Sequence, residues 1–166
     1  MIILQENIDV EQINPLTAVA LTNEYIAQDN EMSMFATLFF GVLDPRNGNL
    51  LYVNGGHEAV FVIDQNGVRE RLLPTGPSVG IFQEAKFTYK KTQLQPGDIL
   101  FGYTDGVIDA RSPSEERFTK RRLFSLLSQP VDSALELTQK IATSLFAHIG
   151  KAAQEDDITM LTLQRK

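Results

Sequence analysis

Three clusters of turn-forming residues divide the middle of this chain into brief apolar segments. They read Asp-Pro-Arg-Asn-Gly at residues 44–48, Asp-Gln-Asn-Gly at 64–67 and Gln-Pro-Gly-Asp at 95–98. Gly and Asn adopt the backbone angles that a tight reversal needs, and Pro fixes one of them. The segments between the clusters are short and rich in β-branched and aromatic residues. This pattern predicts the hairpins of an antiparallel sheet, not strands that alternate with helices.

The apolar segments set the positions of the strands. Residues 35–43 form a continuous apolar run, which is typical of a buried strand. Residues 86–92 alternate instead, and this alternation places Phe87 and Tyr89 on one face. The predicted strands are residues 35–43, 49–53, 59–63, 68–73, 86–92, 99–103 and 158–163.

Helix signals flank the strand-rich region. Asn14 and Pro15 predict a helix over residues 15–28, because Asn caps free amides and Pro fits the first turn. A short helix is predicted over residues 120–127, and a longer one from an Asp132 cap to a stop at Gly150. Strands followed by helices and then by one last strand indicate an antiparallel α+β fold. The longer helix carries apolar residues at a spacing of four, namely Leu137, Ile141, Leu145 and Ile149.

Composition limits the size of the fold and its partners. The 166 residues correspond to a single domain, and an apolar fraction of 43% is sufficient for an ordinary core. A net charge of −6 argues against binding to nucleic acid or to an anionic membrane. We find no signal peptide and no apolar run of about 20 residues, and therefore expect a soluble cytoplasmic protein. The absence of cysteine excludes disulfides, thiolate metal sites and a cysteine nucleophile.

Two acidic positions lie where a strand meets a loop. Asp105 follows the predicted strand 99–103 and precedes Gly106, which allows the backbone to approach a ligand closely. Asp156 and Asp157 open the last strand, where successive side chains point to opposite faces, so at most one of them points to a given site. Carboxylates brought together from distant positions favour a hard cation such as Mg²⁺ or Mn²⁺. The alternative is structural, because Asp-Gly is common in turns and Asp-Asp at solvated strand starts.

Other polar residues carry weaker functional interpretations. His57 follows Asn-Gly-Gly at residues 54–56 and can bind phosphate or position a loop, although a turn-stabilising donor is the commoner role. Asp109 can assist a metal through water, cap a helix or lie in solvent. His148 lies near a helix C-terminus, where a cationic ring is favoured, and we assign it no function. The basic residues 120–122 can dock an acidic or phosphorylated protein, but a solvated helix start is the commoner interpretation.

The order of these motifs resembles that of one family. Together they are similar to the SpoIIE-like branch of the metal-dependent PPM protein serine/threonine phosphatases, from about residue 14 to the end of the chain. The resemblance implies an α+β fold in which two antiparallel sheets form a sandwich with helices outside. It also implies a two-metal Mg²⁺ or Mn²⁺ centre at one edge of that sandwich. The segments that carry the resemblance are residues 34–44, 54–57, 74–81, 97–107 and 156–159.

The resemblance also implies roles for the acidic residues. Asp105 and Asp156 are implied to be catalytic metal ligands, Asp157 is a weaker candidate, and the backbone of Gly106 is implied to lie near the metal. A metal-activated water attacks phosphorus in this chemistry, so no protein nucleophile is required.

The chain departs from the family at its N-terminus. Complete domains begin with a Gly-Asp-rich strand and an Asp-Val-Ser-Gly-His-Gly type turn, and neither occurs here. The early acids Glu6, Asp9 and Glu11 lack that context. We therefore expect residues 1–166 to be a single domain, the C-terminal portion of a catalytic domain whose N-terminal strands are missing and whose metal centre is incomplete. Strand edges exposed in this way favour homodimerisation.

The function implied is hydrolysis of phosphoserine or phosphothreonine on a regulatory protein, such as an anti-sigma-factor antagonist. The phosphatase would then be the output of a signalling pathway that has an upstream sensor domain. An alternative is a catalytically incomplete pseudophosphatase, or a regulatory module that only binds protein. A second alternative is a structural α+β domain in which Asp105 and Asp156 are turn residues.

Overall fold

The computed structural model describes residues 2–4, 14–28, 30 and 34–166. The chain divides into two compact units, the first made of Met1–Ala59 and Leu72–Gln95, the second of Val60–Arg71 and Pro96–Lys166. The predicted α+β class is confirmed, because helices accompany two four-stranded sheets. Glu6, Asp9 and Glu11 lie outside the described residues. The elements in chain order are β1 (Ile2–Leu4), α1 (Pro15–Ala27), β2 (Leu38–Leu43), β3 (Asn49–Gly55), β4 (Val60–Asp64), β5 (Gly67–Leu72), β6 (Lys90–Gln93), β7 (Ile99–Tyr103), α2 (Gly106–Asp109), α3 (Thr119–Leu127), α4 (Ala134–Ile149) and β8 (Met160–Gln164).

The sheet of the first unit has the strand order β1-β2-β3-β6. β2 and β3 pair antiparallel through the turn predicted at residues 44–48, and β6 pairs antiparallel with β3. The sequence does not predict β1, which pairs parallel with β2 and places Ile2 opposite Phe40. Three residues show too little periodicity to be recognised as a strand, and the partner strand lies far along the chain. The expectation of purely antiparallel pairing is therefore wrong at this edge.

Helix α1 begins where the sequence predicts. The side chain of Asn14 accepts hydrogen bonds from the N–H groups of Leu16 and Thr17, at 3.1 and 3.4 Å. Pro15 occupies the first turn, where its missing N–H costs nothing. The helix ends at Ala27, one residue short of the prediction.

A buried asparagine fixes α1 to a loop of the same unit. Asn23 lies in the buried row of the helix, although its neighbours in that row are apolar. Its side chain accepts a hydrogen bond from the N–H of Gly80 and donates one to the carbonyl of Phe82, each 2.9 Å long. Because both ends of the amide are paired, its burial leaves no unsatisfied polar group.

Two strands of this unit begin later than predicted, because the first residues of each predicted strand pair with a loop. β2 begins at Leu38 and not at residue 35, because Ala36 forms an isolated bridge with Val79. β6 begins at Lys90 and not at residue 86, because the N–H of Thr88 donates to the carbonyl of Thr75. The prediction that Phe87 and Tyr89 share a face is wrong, because Phe87 is buried and Tyr89 is exposed.

The second unit contains the sheet β5-β4-β7-β8. β7 lies between β4 and β8, pairs antiparallel with both and has all five residues buried. Its bounds are those that the sequence predicts. The ring of Phe61 on β4 stacks on Tyr103 of β7 with a centroid distance of 6.2 Å, and Phe101 stacks on Tyr103 at 5.8 Å. This stacked aromatic layer supports the end of β7 that leads to Asp105.

The helices of the second unit confirm most of the sequence prediction. The apolar residues of α4 that recur at a spacing of four are buried. The N-cap of α4 is Ser133 and not Asp132, because the Ser133 hydroxyl accepts a hydrogen bond from the N–H of Glu136 at 3.1 Å. Glu136 in turn accepts one from the N–H of Asp132 at 2.8 Å. α2 is a single turn that the sequence does not predict, since Asp105-Gly106 indicates only a reversal.

No helix among the described residues is both long and apolar enough to cross a membrane.

Candidate active site

Thr104 joins the two acidic motifs. It follows β7, and its hydroxyl donates a hydrogen bond to the carbonyl of Asp157 at 2.9 Å. The same hydroxyl accepts one from the N–H of Thr159 at 3.0 Å, and the N–H of Thr104 donates to the Thr159 carbonyl at 3.0 Å. Segments 104–106 and 157–159 are thus held side by side beyond the paired ends of β7 and β8.

Gly106 allows the closest approach within this junction. A β-carbon built on Gly106 would overlap the carbonyl oxygen of Asp157. The preceding residue, Asp105, is exposed, and its Oδ1 accepts a hydrogen bond from the N–H of Gly106 at 3.1 Å. Its other oxygen has no hydrogen-bond partner among the described residues. The sequence predicts that Gly106 lets the backbone approach a ligand, and the close approach seen in the structure is to the Asp157 carbonyl.

Asp156 and Asp157 both lie on the exposed segment before β8. Oδ1 of Asp156 accepts a hydrogen bond from the N–H of Asp157 at 2.7 Å. The carbonyl of Asp157 bonds to Thr104, so its backbone is fixed while its side chain makes no hydrogen bond within the described part of the chain. Asp156 is the member of this pair that borders a cleft. The prediction that the two residues open the last strand is wrong, because β8 begins at Met160, where pairing with Tyr103 starts.

The cleft beside Asp156 has a volume of about 270 Å³ and contains two arginines. Arg111 donates to Glu155 at 3.1 Å and reaches the Glu115 carboxylate at 3.3 Å. Arg117 donates to Asp109 at 3.0 Å. These ion pairs fix the cleft walls, a role that the sequence analysis does not anticipate because the partners lie up to 44 residues apart. The cleft is lined by Gly106, Asp109, Ala110, Arg111, Arg117, Ile149, Ala153, Gln154, Glu155, Asp156 and Ile158.

The donor set at the junction matches part of what a hard cation requires. Asp105 and Asp156 are exposed carboxylates, and no Lys or Arg side chain pairs with either within the described residues. Carboxylate oxygens are the ligands that Mg²⁺ and Mn²⁺ prefer. In residues 2–4, 14–28, 30 and 34–166, however, no group of three or more Asp, Glu, His or Cys side chains is close enough to hold a metal ion. The described residues therefore supply two exposed carboxylates on neighbouring segments and no complete set of metal ligands.

His57 lies in the first unit, in a loop organised by Asn54. Asn54 is fully buried, and its Oδ1 accepts a hydrogen bond from the N–H of His57 at 2.9 Å. Its Nδ2 donates to the carbonyl of Leu72 at 3.2 Å. The His57 ring lies 3.0 Å from the carbonyl of Glu58, measured from Nδ1, and a carbonyl can only accept, so Nδ1 carries the proton. This arrangement favours loop positioning over phosphate binding.

His148 is hydrogen-bonded at both ring nitrogens. Nδ1 faces Arg122, which can only donate, and Nε2 lies 2.8 Å from the carbonyl of Glu116, which can only accept. The ring is thus held between Arg122 of α3 and the backbone of Glu116. The charge expected for the ring at the helix end stays a prediction. Asp109, the last residue of α2, forms an ion pair with Arg117.

Comparison with known proteins assigns the chain to a family. The family model of stage II sporulation protein E (SpoIIE) matches residues 2–166. The chain belongs to the SpoIIE family. The resemblance found in the sequence motifs is thereby confirmed over a longer range than the motifs themselves cover.

The relatives of the chain include protein IcfG and a phosphoserine phosphatase. The chain is 48% identical over 151 residues to protein IcfG of Synechocystis, covering 90% of the chain and 24% of the relative. It is 31% identical over 130 residues to phosphoserine phosphatase RsbP of Bacillus subtilis, covering 78% of the chain and 30% of RsbP. The chain thus spans less than a third of the length of these two curated relatives.

The SpoIIE-family fold is that of a PP2C phosphatase domain. The SiaA PP2C domain of Pseudomonas aeruginosa superposes with a TM-score of 0.73 at 19% sequence identity, covering 91% of this chain and 61% of that domain. At this level of identity the likeness establishes the fold alone.

Proposed function

We propose that this chain forms part of a PP2C-type phosphatase that hydrolyses phosphoserine or phosphothreonine on a regulatory protein. The observation that carries the proposal is the junction at Thr104, which lays Asp105-Gly106 against Asp156-Asp157. A purely structural domain needs neither two exposed carboxylates nor a hydrogen bond that joins their segments across 53 residues of sequence. Similarity to a phosphoserine phosphatase supports the reaction class.

The proposed roles follow from the geometry of the junction. Asp105 and Asp156 would hold Mn²⁺ or Mg²⁺, with Asp157 as the weaker candidate ligand, and further ligands would come from outside the described residues. When bound, such a centre acidifies water and offsets charge on the phosphoryl oxygens. The residues of this chain position the carboxylates: Thr104 fixes the two segments, and Gly106 removes the bulk that would separate them. His57 is proposed to position its loop.

The proposed substrate is a phosphorylated regulatory protein of the kind that an anti-sigma-factor antagonist represents, in a cytoplasmic signalling pathway. The chain spans a minor part of its relatives, which supports a role as the output module of a larger protein that carries a sensor domain. Homodimerisation through strand edges belongs to the same proposal, because β5 and β8 are edge strands of their sheet.

The test combines hydrolysis with metal binding. We would measure Mn²⁺-dependent hydrolysis of para-nitrophenyl phosphate and of a phosphoserine peptide, and titrate Mn²⁺ by calorimetry. Asp105→Asn and Asp156→Asn remove charge but keep the oxygen that accepts the neighbouring N–H. Each should weaken Mn²⁺ binding and hydrolysis by about 100-fold or more, since even outer-shell changes cost about 10–100-fold. Asp132→Asn, an exposed carboxylate far along the chain, is the matched control and should change neither quantity.

The result separates the candidate functions. Mn²⁺ binding without hydrolysis would favour the regulatory, non-catalytic alternative, for which the incomplete ligand set is the supporting observation. Hydrolysis that is equal in Asp105→Asn and in the unaltered chain would overturn the assignment of Asp105.

A further inference from the structure

Two exposed arginines of the second unit have no carboxylate partner among the described residues. Arg46, Arg69, Arg111, Arg117 and Arg122 each form an ion pair with Asp or Glu. Within the described part of the chain, Arg71 and Arg121 form none, and both side chains are exposed. In a chain of net charge −6, two cations left without internal acids are available to an external one.

Arg71 stacks on an aromatic ring that lies one helical turn from Arg121. The guanidinium carbon of Arg71 lies 4.3 Å from the centroid of the Phe124 ring on α3. Arg121 and Lys120 precede Phe124 by three and four residues, so they occupy the same helix face one turn away. We call Arg71, Lys120, Arg121 and Phe124 the basic surface. Stacking on Phe124 holds Arg71 in place while its N–H donors still face solvent, which lowers the entropy cost of binding a carboxylate.

The basic surface lies at the same end of the sheet as the acidic junction. β5 follows β4 through a tight turn and is its neighbour, and β4 runs antiparallel to β7, so β5 and β7 run in the same direction. Arg71 near the end of β5 and Thr104 just after β7 are therefore two strand positions apart, about 10 Å in the plane of the sheet. The basic surface and the acidic junction therefore lie within the length of a short peptide of each other.

We propose that the basic surface docks an acidic segment of the phosphoprotein substrate, a proposal that rests on the function proposed above. The small number of cations favours a protein partner over nucleic acid or an anionic membrane. Nucleic-acid binding typically neutralises about 6–10 phosphates, and polybasic membrane sites use about 4–8 Lys or Arg. The two arginines that lack an internal acid, with Lys120 beside them, match a few Asp or Glu side chains that flank a phosphorylated residue.

Kinetics with paired peptides tests the proposal. Two phosphoserine peptides would be compared, identical except that the flanking residues are Glu in one and Gln in the other. Arg71→Glu combined with Arg121→Glu should raise KM for the Glu-flanked peptide about tenfold and leave hydrolysis of para-nitrophenyl phosphate unchanged. Lys90→Glu makes the same kind of charge change at an exposed position on β6. It should change neither the KM for the Glu-flanked peptide nor the hydrolysis of para-nitrophenyl phosphate. Equal effects on both peptides, or no effect on either, would overturn the docking site.

A binding measurement keeps the docking site separable from the proposed reaction. Fluorescence anisotropy with a labelled, non-phosphorylated Glu-rich peptide requires no catalysis. If no variant hydrolyses phosphate, the proposed reaction is rejected, and the anisotropy measurement still decides whether the docking site exists. Arg121→Glu alone removes no hydrogen bond or ion pair of the described structure. It should weaken peptide binding several-fold and reduce the salt dependence of that binding. Tighter binding of single-stranded RNA or phosphatidylserine vesicles than of the Glu-rich peptide would contradict the proposal.

Discussion

Gly106 lies so close to the carbonyl group of Asp157 that no side chain fits between them. The contact joins the start of α2 to the segment before β8, and the hydroxyl of Thr104 bonds to the same carbonyl from the side. The two acidic motifs therefore meet through their backbones, while their carboxylates remain exposed.

Replacement of Gly106 by alanine should destabilise the protein. Helix propensity alone would favour alanine by about 1 kcal/mol. The new methyl group would overlap the Asp157 carbonyl, however, and overpacking costs about 1–3 kcal/mol. Urea denaturation should show a net loss, whereas Gly97→Ala, which meets no atom within 4 Å, should show only the cost of its positive φ. A Gly106→Ala protein as stable as the unaltered chain would refute the close contact.

Loss of the Thr104 hydroxyl should loosen the junction. Thr104→Val keeps the shape of the side chain but removes its bonds to Asp157 and Thr159. At about 0.5–1.5 kcal/mol for each bond, we expect a loss of about 1–3 kcal/mol by chemical denaturation. Thr104→Ser retains the hydroxyl and should restore most of the difference. Similar stabilities for the Val and Ser variants would show that the two bonds contribute little.

The N-cap of α4 can be tested by two neighbouring substitutions. Ser133→Ala removes the acceptor for the Glu136 N–H and should cost about 1 kcal/mol. Asp132→Ala removes the side chain that the sequence predicts as the cap, and it should cost less, because only the backbone of Asp132 bonds to Glu136. Thermal unfolding of both variants decides between the two caps. The reverse order of stabilities would restore Asp132 to that role.

The turn at Asp44 should make stability depend on acid pH. The Arg46 side chain, which bonds to the buried Asp44 carboxylate at 3.0 Å, holds the pKa of that carboxyl below its usual value of 3.8. Because the pKa of Asp44 is lower in the folded state than in the unfolded state, its ionisation stabilises the protein at pH values above the unfolded-state pKa. This stabilisation is lost as the pH falls through the folded-state pKa.

We therefore expect the melting temperature of Asp44→Asn to lie below that of the unaltered chain by a constant amount at neutral pH. The gap should narrow as pH falls below about 4. Arg46→Gln removes the main cause of the shift and should weaken the narrowing. A gap that stays constant down to pH 2 would contradict the ion pair as its source.

Elements defined by local signals could be predicted from the sequence, and those defined by distant contacts could not. β7 is bounded by a turn cluster and by Asp105-Gly106, and its observed bounds match the prediction. The start of α1 depends on Asn14 and Pro15 alone. By contrast, β1 exists only through its pairing with β2, and the first residues of the predicted strand 86–92 bond to Thr75 in a loop.

The candidate site shows the same division. The sequence singles out Asp105, Asp156 and Gly106 because residue type and local context mark them. Thr104 and Arg111 carry no local mark, since their importance lies in bonds to Asp157 and Glu155. The repeated threonine beside each acidic motif, at positions 104 and 159, is the signal that could have shown the junction in advance.

The pairing of β7 with β8 also sets an order of events during synthesis. Residues 99–103 leave the ribosome well before residues 160–164, and the acidic junction depends on both. A nascent chain can complete its hairpins early, but Asp105 gains its neighbour only when the last strand arrives. Unfinished chains would therefore lack the bonds between Thr104 and residues 157–159, and the acidic junction would assemble only when translation of this region is complete.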